Sequence, residues 1–117
     1  MTDHRRLETF GLADELALAV YSSTASFPLH QTLDLVTRMR SSAVALATEI
    51  VARAGTRSES EDRRLFDSAF ASIRELSYLI GLAHRLGYLT AEQTRSLRAL
   101  QGRTAWALVS LTRSLEA

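Results

Sequence analysis

The chain has 117 residues, enough for one domain that buries roughly two-thirds of its unfolded surface without covalent staples. It has no cysteine, which excludes a disulfide scaffold and a thiolate metal site, and no apolar run approaches the roughly 20 residues of a membrane span. Fourteen basic residues against 13 acidic ones leave a formal net charge of +1, which does not by itself point to nucleic acid or membrane.

Every basic residue is an arginine, whose planar fork suits phosphates and carboxylates. One proline, five glycines and an excess of alanine, leucine, arginine and glutamate favour helix throughout. The N-terminal stretch MTDHRRLETF has two arginines but no apolar segment after them, so no secretory signal is read and a cytoplasmic protein is expected.

The first helix is expected over 7–25, with Phe10, Ala13, Leu16, Ala17, Val20 and Tyr21 as its inner stripe. Leu7, Leu12, Leu18 and Ala19 fall outside that stripe. Phe27-Pro28 ends the helix, because the residue before a proline is pushed out of the helical region. Pro28 then suits the first turn of a second helix over 29–54, with Leu33, Val36, Ala43, Leu46, Ala47 and Ile50 inward. Gly55 to Ser58 forms the next corner, with Gly55 as a C-terminal cap and Ser58 and Glu61 as a capping box.

The third helix, over 59–86, places Leu65, Ala69, Ile73, Leu76, Ile80 and Ala83 at spacings of three and four, widened by Phe66, Phe70 and Leu79. Gly87 stops it. Thr90 and Gln93 read as a second capping box that starts a fourth helix over 91–115. Short connections make neighbours antiparallel, so the fold class is all-α, an up-down-up-down four-helix bundle in a single domain spanning residues 1–117. At 1.5 Å per residue the longer helices span about 36–42 Å.

The fourth helix turns Leu97, Leu100, Thr104, Leu108, Leu111 and Leu115 inward. At about 100° per residue, Trp106 and Val109 then point the other way, near Ala99, Gly102 and Ala105 and between Arg98 and Arg113. A tryptophan among small residues and arginines has the composition of an interface, so Trp106, Val109, Gly102 and Ala99 are read as an oligomer contact.

Catalytic patterns are missing. His4, His30 and His84 have no second histidine or carboxylate at the spacing of a helical metal motif, and no Glu-x-x-His occurs. No phosphate-cradling glycine loop is present. Neither an enzyme activity nor a cofactor is expected. Glu49 and Glu75 are isolated carboxylates, and Glu75 is expected to make a structural hydrogen bond or ion pair. Arg95, Arg98, Arg103 and Arg113 follow one another with no acid between them, and Arg38, Arg40, Arg53 and Arg57 give the second helix a positive excess. The first set is a candidate phosphate-backbone contact.

Several stretches together carry a resemblance. They are Phe10 with Tyr21, Thr24 and Phe27-Pro28; Met39-Arg40; Ala69-Phe-Ala-Ser72-Ile-Arg-Glu75-Leu76; and Ala83 with Leu86-Gly87-Tyr88-Leu89. In these the chain resembles a family of small bacterial four-helix bundle proteins, named after proteins encoded in intervening sequences of large-subunit ribosomal RNA genes. The accessory variability protein of diversity-generating retroelements is similar to that family. The resemblance implies a bundle that assembles as a homopentameric ring and a nucleic-acid role carried by basic surface. The chain departs from the family pattern where helix 2 usually ends in Asn-Ile-Ala-Glu-Gly, since Glu49-Ile50-Val51-Ala52-Arg53 stand there. Ala71 likewise replaces the glycine of a Gly-Ser pair.

The expectation from sequence is therefore a non-enzymatic, self-assembling bundle, a pentameric assembly or adaptor module. The alternative is a ring that binds RNA or DNA without reading its sequence, through arginines. The partner is the chain itself, with nucleic acid in the second case and no membrane in either.

Overall fold

The computed structural model describes residues 3–52 and 58–116, with the side chains of Asp3, Leu115 and Glu116 left aside. Four helices follow in order: α1 (Asp3–Thr24), α2 (Leu29–Ala52), α3 (Glu59–Arg85) and α4 (Ala91–Glu116). Each packs on the next and α4 closes back on α1, so the four stand at the corners of a bundle with α1 opposite α3. The molecule measures 45 × 23 × 18 Å. Among the described residues no helix is long and apolar enough to cross a membrane.

The inner stripes meet in one core. Leu16, Met39, Leu46, Leu76, Ile80 and Leu108 have no exposed surface. Burying such a side chain contributes about 1.5–3 kcal/mol each, so the core outweighs any single surface contact. Tyr21 is the exception in α1. It stays partly exposed, with the Arg40 guanidinium 4.5 Å over its ring.

Two local departures from the sequence reading have physical causes. Helix α1 begins at Asp3, a full turn before residue 7. Thr9 carries the inner stripe further back although it is polar: it is buried, and its hydroxyl donates to the Arg5 carbonyl at 2.8 Å. In α2, Leu33 points outward and is 62% exposed, contrary to its expected core position. Thr32 holds the inner position instead, with a distorted backbone (φ −125°, ψ 15°) and its hydroxyl donating to the Pro28 carbonyl at 2.9 Å. Thr32, Val36, Met39, Ala43, Leu46 and Ile50 step by four and three, and at about 100° per residue Leu33 falls outside that stripe. The expected corner at Gly55, with Thr56, Arg57 and Arg53, and the inward side chain of Leu115, lie outside what is described.

The corner between α3 and α4 is capped on both sides. Gly87 has φ +86°, its N–H donates to the His84 carbonyl at 3.0 Å, and the Tyr88 N–H donates to the Ala83 carbonyl at 2.9 Å. This pair of bonds is a Schellman motif. Thr90 and Gln93 then satisfy each other's backbone N–H groups at 2.9 and 3.0 Å, a reciprocal capping box. Ser58 caps α3 by accepting from the Glu61 N–H at 3.2 Å. Tyr88 stacks on Phe27 with centroids 5.5 Å apart, which ties this corner to the α1–α2 corner at the same end of the bundle.

Candidate assembly and nucleic-acid surface

Helix α4 reaches its neighbours through polar as well as apolar groups. Its buried positions are Leu97, Leu100, Gln101, Thr104, Leu108 and Leu111. Gln101 donates to the Ile73 carbonyl of α3 at 3.0 Å, and Thr104 donates to the Leu100 carbonyl of its own helix. With this side turned in, Arg95, Ala99, Gly102, Trp106, Val109 and Arg113 recur at steps of four and three and share the outward side. All are exposed except Val109, which is half-buried, and Trp106 is 66% exposed. The four residues read as an oligomer contact therefore form one stripe about 15 Å long within a run of about 27 Å between the two arginines.

The four candidate arginines divide. Arg98 is committed within the chain: it donates to the carbonyl and hydroxyl oxygens of Ser77, both at 3.0 Å. It lies across α3 at Gly81, where a Cβ would come within 2.9 Å of its terminal nitrogen. Gly81 thus makes room for the guanidinium, and Arg98 braces α3 against α4. Arg103 and Arg113 sit together on an open groove of about 700 Å³ between α1 and α4, also lined by Arg5, Glu8, Leu12 and Trp106. Arg95 is exposed at the opposite end of the stripe.

Of the positive excess expected of α2, the two described arginines, Arg38 and Arg40, are spoken for. Arg38 pairs with Glu75 of α3 at 2.9 Å, the structural partner that Glu75 was expected to have. Both are exposed, so the pair contributes about 0–1 kcal/mol. Arg40 covers Tyr21 and donates to the Thr24 hydroxyl at 3.0 Å. Glu49 accepts from the Ser72 hydroxyl at 3.1 Å. Burial pushes the Glu49 carboxyl above its ordinary value, and the Ser72 bond offsets this only in part. Ser72 and Glu75, the polar residues of the segment that carries the resemblance, thus both hold α3 to α2, while Ala69, Ile73 and Leu76 of the same segment fill the core.

One surface was not expected from sequence. Thr37, Ser41, Val44, Thr48 and Ala52 of α2 make an exposed, uncharged run, with Ala45 half-buried beside it and the charges of Asp34 and Arg38 at its N-terminal end. Their signal in the sequence is the same spacing of three and four, obscured by the arginines beside it. Among the described residues no three His, Asp or Glu side chains stand together as a metal site.

No curated protein shows a significant match to the chain. The family model described as 23S rRNA-intervening sequence protein matches residues 5–109, a span that runs from the first turn of α1 well into α4 and takes in both capped corners. The chain therefore belongs to the family of 23S rRNA-intervening sequence proteins.

Proposed function

We propose that this chain is a non-enzymatic cytoplasmic module that works by self-association, forming the homopentamer that the family resemblance implies and serving as an assembly or adaptor unit. The observation that carries this reading is Trp106, 66% exposed in a stripe with Ala99, Gly102 and Val109. An indole left in water amid small residues is the composition of an interface core, and truncating such an anchor costs on the order of 2 kcal/mol or more. Trp106→Ala is expected to lower the mass of the assembly in light scattering while the circular dichroism of the helices is retained. An unchanged mass would remove Trp106 from the contact.

A second reading, a ring that holds a phosphate backbone, is favoured by one arrangement. Arg103 and Arg113 share the α1–α4 groove with Arg5, against the single acid Glu8. In an assembly that cluster repeats once per subunit, and its fields add. Arg98, tied to Ser77, is the least available of the four.

A further inference from the structure

The described glycines have different reasons to be there. Gly87 needs its positive φ, and Gly81 lies under Arg98. Gly11 and Gly102 have no such reason within the chain. Each sits inside a helix, exposed, and a Cβ added at either would meet nothing within 4 Å. Glycine is less favourable than alanine at such positions, so the close approach it permits comes from outside the chain.

The surroundings of these two glycines are complementary. On the outward side of α1, Gly11 lies between Leu7 and Leu18, which are 68% and 65% exposed, and the exposed charges nearby are Glu8, Asp14 and Glu15, with Arg5 further back on the groove side. On the outward side of α4, Gly102 lies between Ala99 and Trp106, and the exposed charges of the helix are Glu92 in its first turn and then Arg95, Arg98, Arg103 and Arg113, with Arg98 tied to Ser77. One face is acidic with leucine knobs, the other basic with a tryptophan knob, and each has a glycine socket.

Their heights also match. The groove between α1 and α4 is lined from Arg5 to Leu12 on one side and from Arg103 to Ser114 on the other, so with the two helices antiparallel the middle of the first span, at Glu8 and Thr9, is level with about Leu108 and Val109. Stepping one residue at a time in opposite directions, Gly11 is level with about Trp106, Glu15 with about Arg103, and Leu18 with about Ala99. A cyclic axis running along the bundle leaves every residue at its own height. Residues level within one copy therefore meet across an α1-to-α4 contact between copies.

We infer that the outward face of α1 in one copy packs antiparallel on the outward face of α4 in the next, with Trp106 over Gly11, Leu18 over Ala99 and Gly102, and Glu15 against Arg103. This rests on the self-association reading and names its contact. The two faces differ, so the contact is head-to-tail, which yields a ring if the rotation closes and a filament if it does not. Helices α1 and α4 occupy neighbouring corners, so their outward directions diverge by about a quarter turn, a geometry that closes at about four to six copies. The α1–α4 groove, with Arg5 and Arg113, then faces the ring axis.

The test is native mass spectrometry and light scattering on the full chain at micromolar concentration. Glu15→Arg and Arg103→Glu, each alone, are expected to weaken assembly about tenfold or more by setting like charges opposite each other, and the two together to restore it. Gly11→Leu is expected to abolish the ring without lowering the monomer's thermal midpoint, because the added side chain meets open space within the chain. A wild-type chain that stays monomeric overturns the self-association reading and this contact with it. An oligomer of unchanged mass in both single charge variants and in Gly11→Leu overturns this contact alone and leaves self-association standing.

Discussion

At the residue scale, Glu49 is, among the described residues, a carboxyl whose protonation the fold clearly shifts. Its carboxyl lies half-buried beside α3, accepts from Ser72, and is pushed above its ordinary value by burial. A carboxyl raised in the folded state binds its proton more tightly there than in the unfolded chain. Its contribution to stability is thus fully present below the ordinary glutamate value and is lost as pH rises through the folded value. Glu49→Gln keeps an acceptor for Ser72 and removes the charge. Its thermal midpoint should exceed that of the wild type at pH 7 and match it near about pH 3.5, where both side chains are neutral. A midpoint at pH 7 equal to or below the wild type's would contradict this assignment. The isolation of Glu49 was visible in the sequence; its partner was not. Ser72 lies 23 residues away and meets it only because α2 packs on α3.

Among the elements, α4 shows how much a helix can hide from a pattern of apolar residues. Its start was legible, because Thr90 and Gln93 stand three apart and the capping box is a local device. Its inner stripe was legible except for Gln101, a polar residue that is buried because it reaches the Ile73 carbonyl across the seam. Together with Arg98 and Ser77, it holds the α3–α4 seam, the least closely packed of the four, by polar bonds as well as apolar contact. Removing the Gln101 side chain deletes a cross-helix bond and leaves a cavity. Gln101→Ala should therefore cost about 2 kcal/mol in urea denaturation, read as a lower midpoint at unchanged slope. Near-neutral behaviour would mean that the seam closes over the gap. Helix α2 hides something different. Polar Thr32 satisfies its hydroxyl against Pro28 and takes the buried position while Leu33 stays exposed, which no count of apolar residues reveals.

On the scale of the whole molecule, the distribution of charge matters more than its sum. A net charge of +1 conceals an outward side of α1 with Glu8, Asp14 and Glu15 beside Arg5, and an α4 whose exposed charges are Glu92 and four arginines, one of them tied to Ser77. Such an asymmetry favours contact between copies, because opposite faces attract and like faces repel. It also concentrates Arg103 and Arg113 on one groove. If that groove holds a phosphate backbone, binding of RNA or DNA should fall steeply with salt. Arg113→Gln should then make the logarithmic slope shallower by about one for each phosphate left without its arginine. Retention of neither RNA nor DNA at low salt would remove the nucleic-acid reading and leave assembly untouched.

What the sequence determined on its own was local and periodic: four helices, the capped corners, the inner stripes and the family. Propensity, capping and a 3.6-residue repeat act over a few residues, so they can be read along the chain. Which side of each helix meets which neighbour, and at what height, is a matter of packing between residues far apart in the chain. Only the bundle could bring Arg98 onto Ser77 and Gly81, Arg38 onto Glu75, and Arg5 onto one groove with Arg103 and Trp106. The outward indole was legible from spacing alone; the acidic, glycine-bearing face that complements it emerged only once α1 stood beside α4.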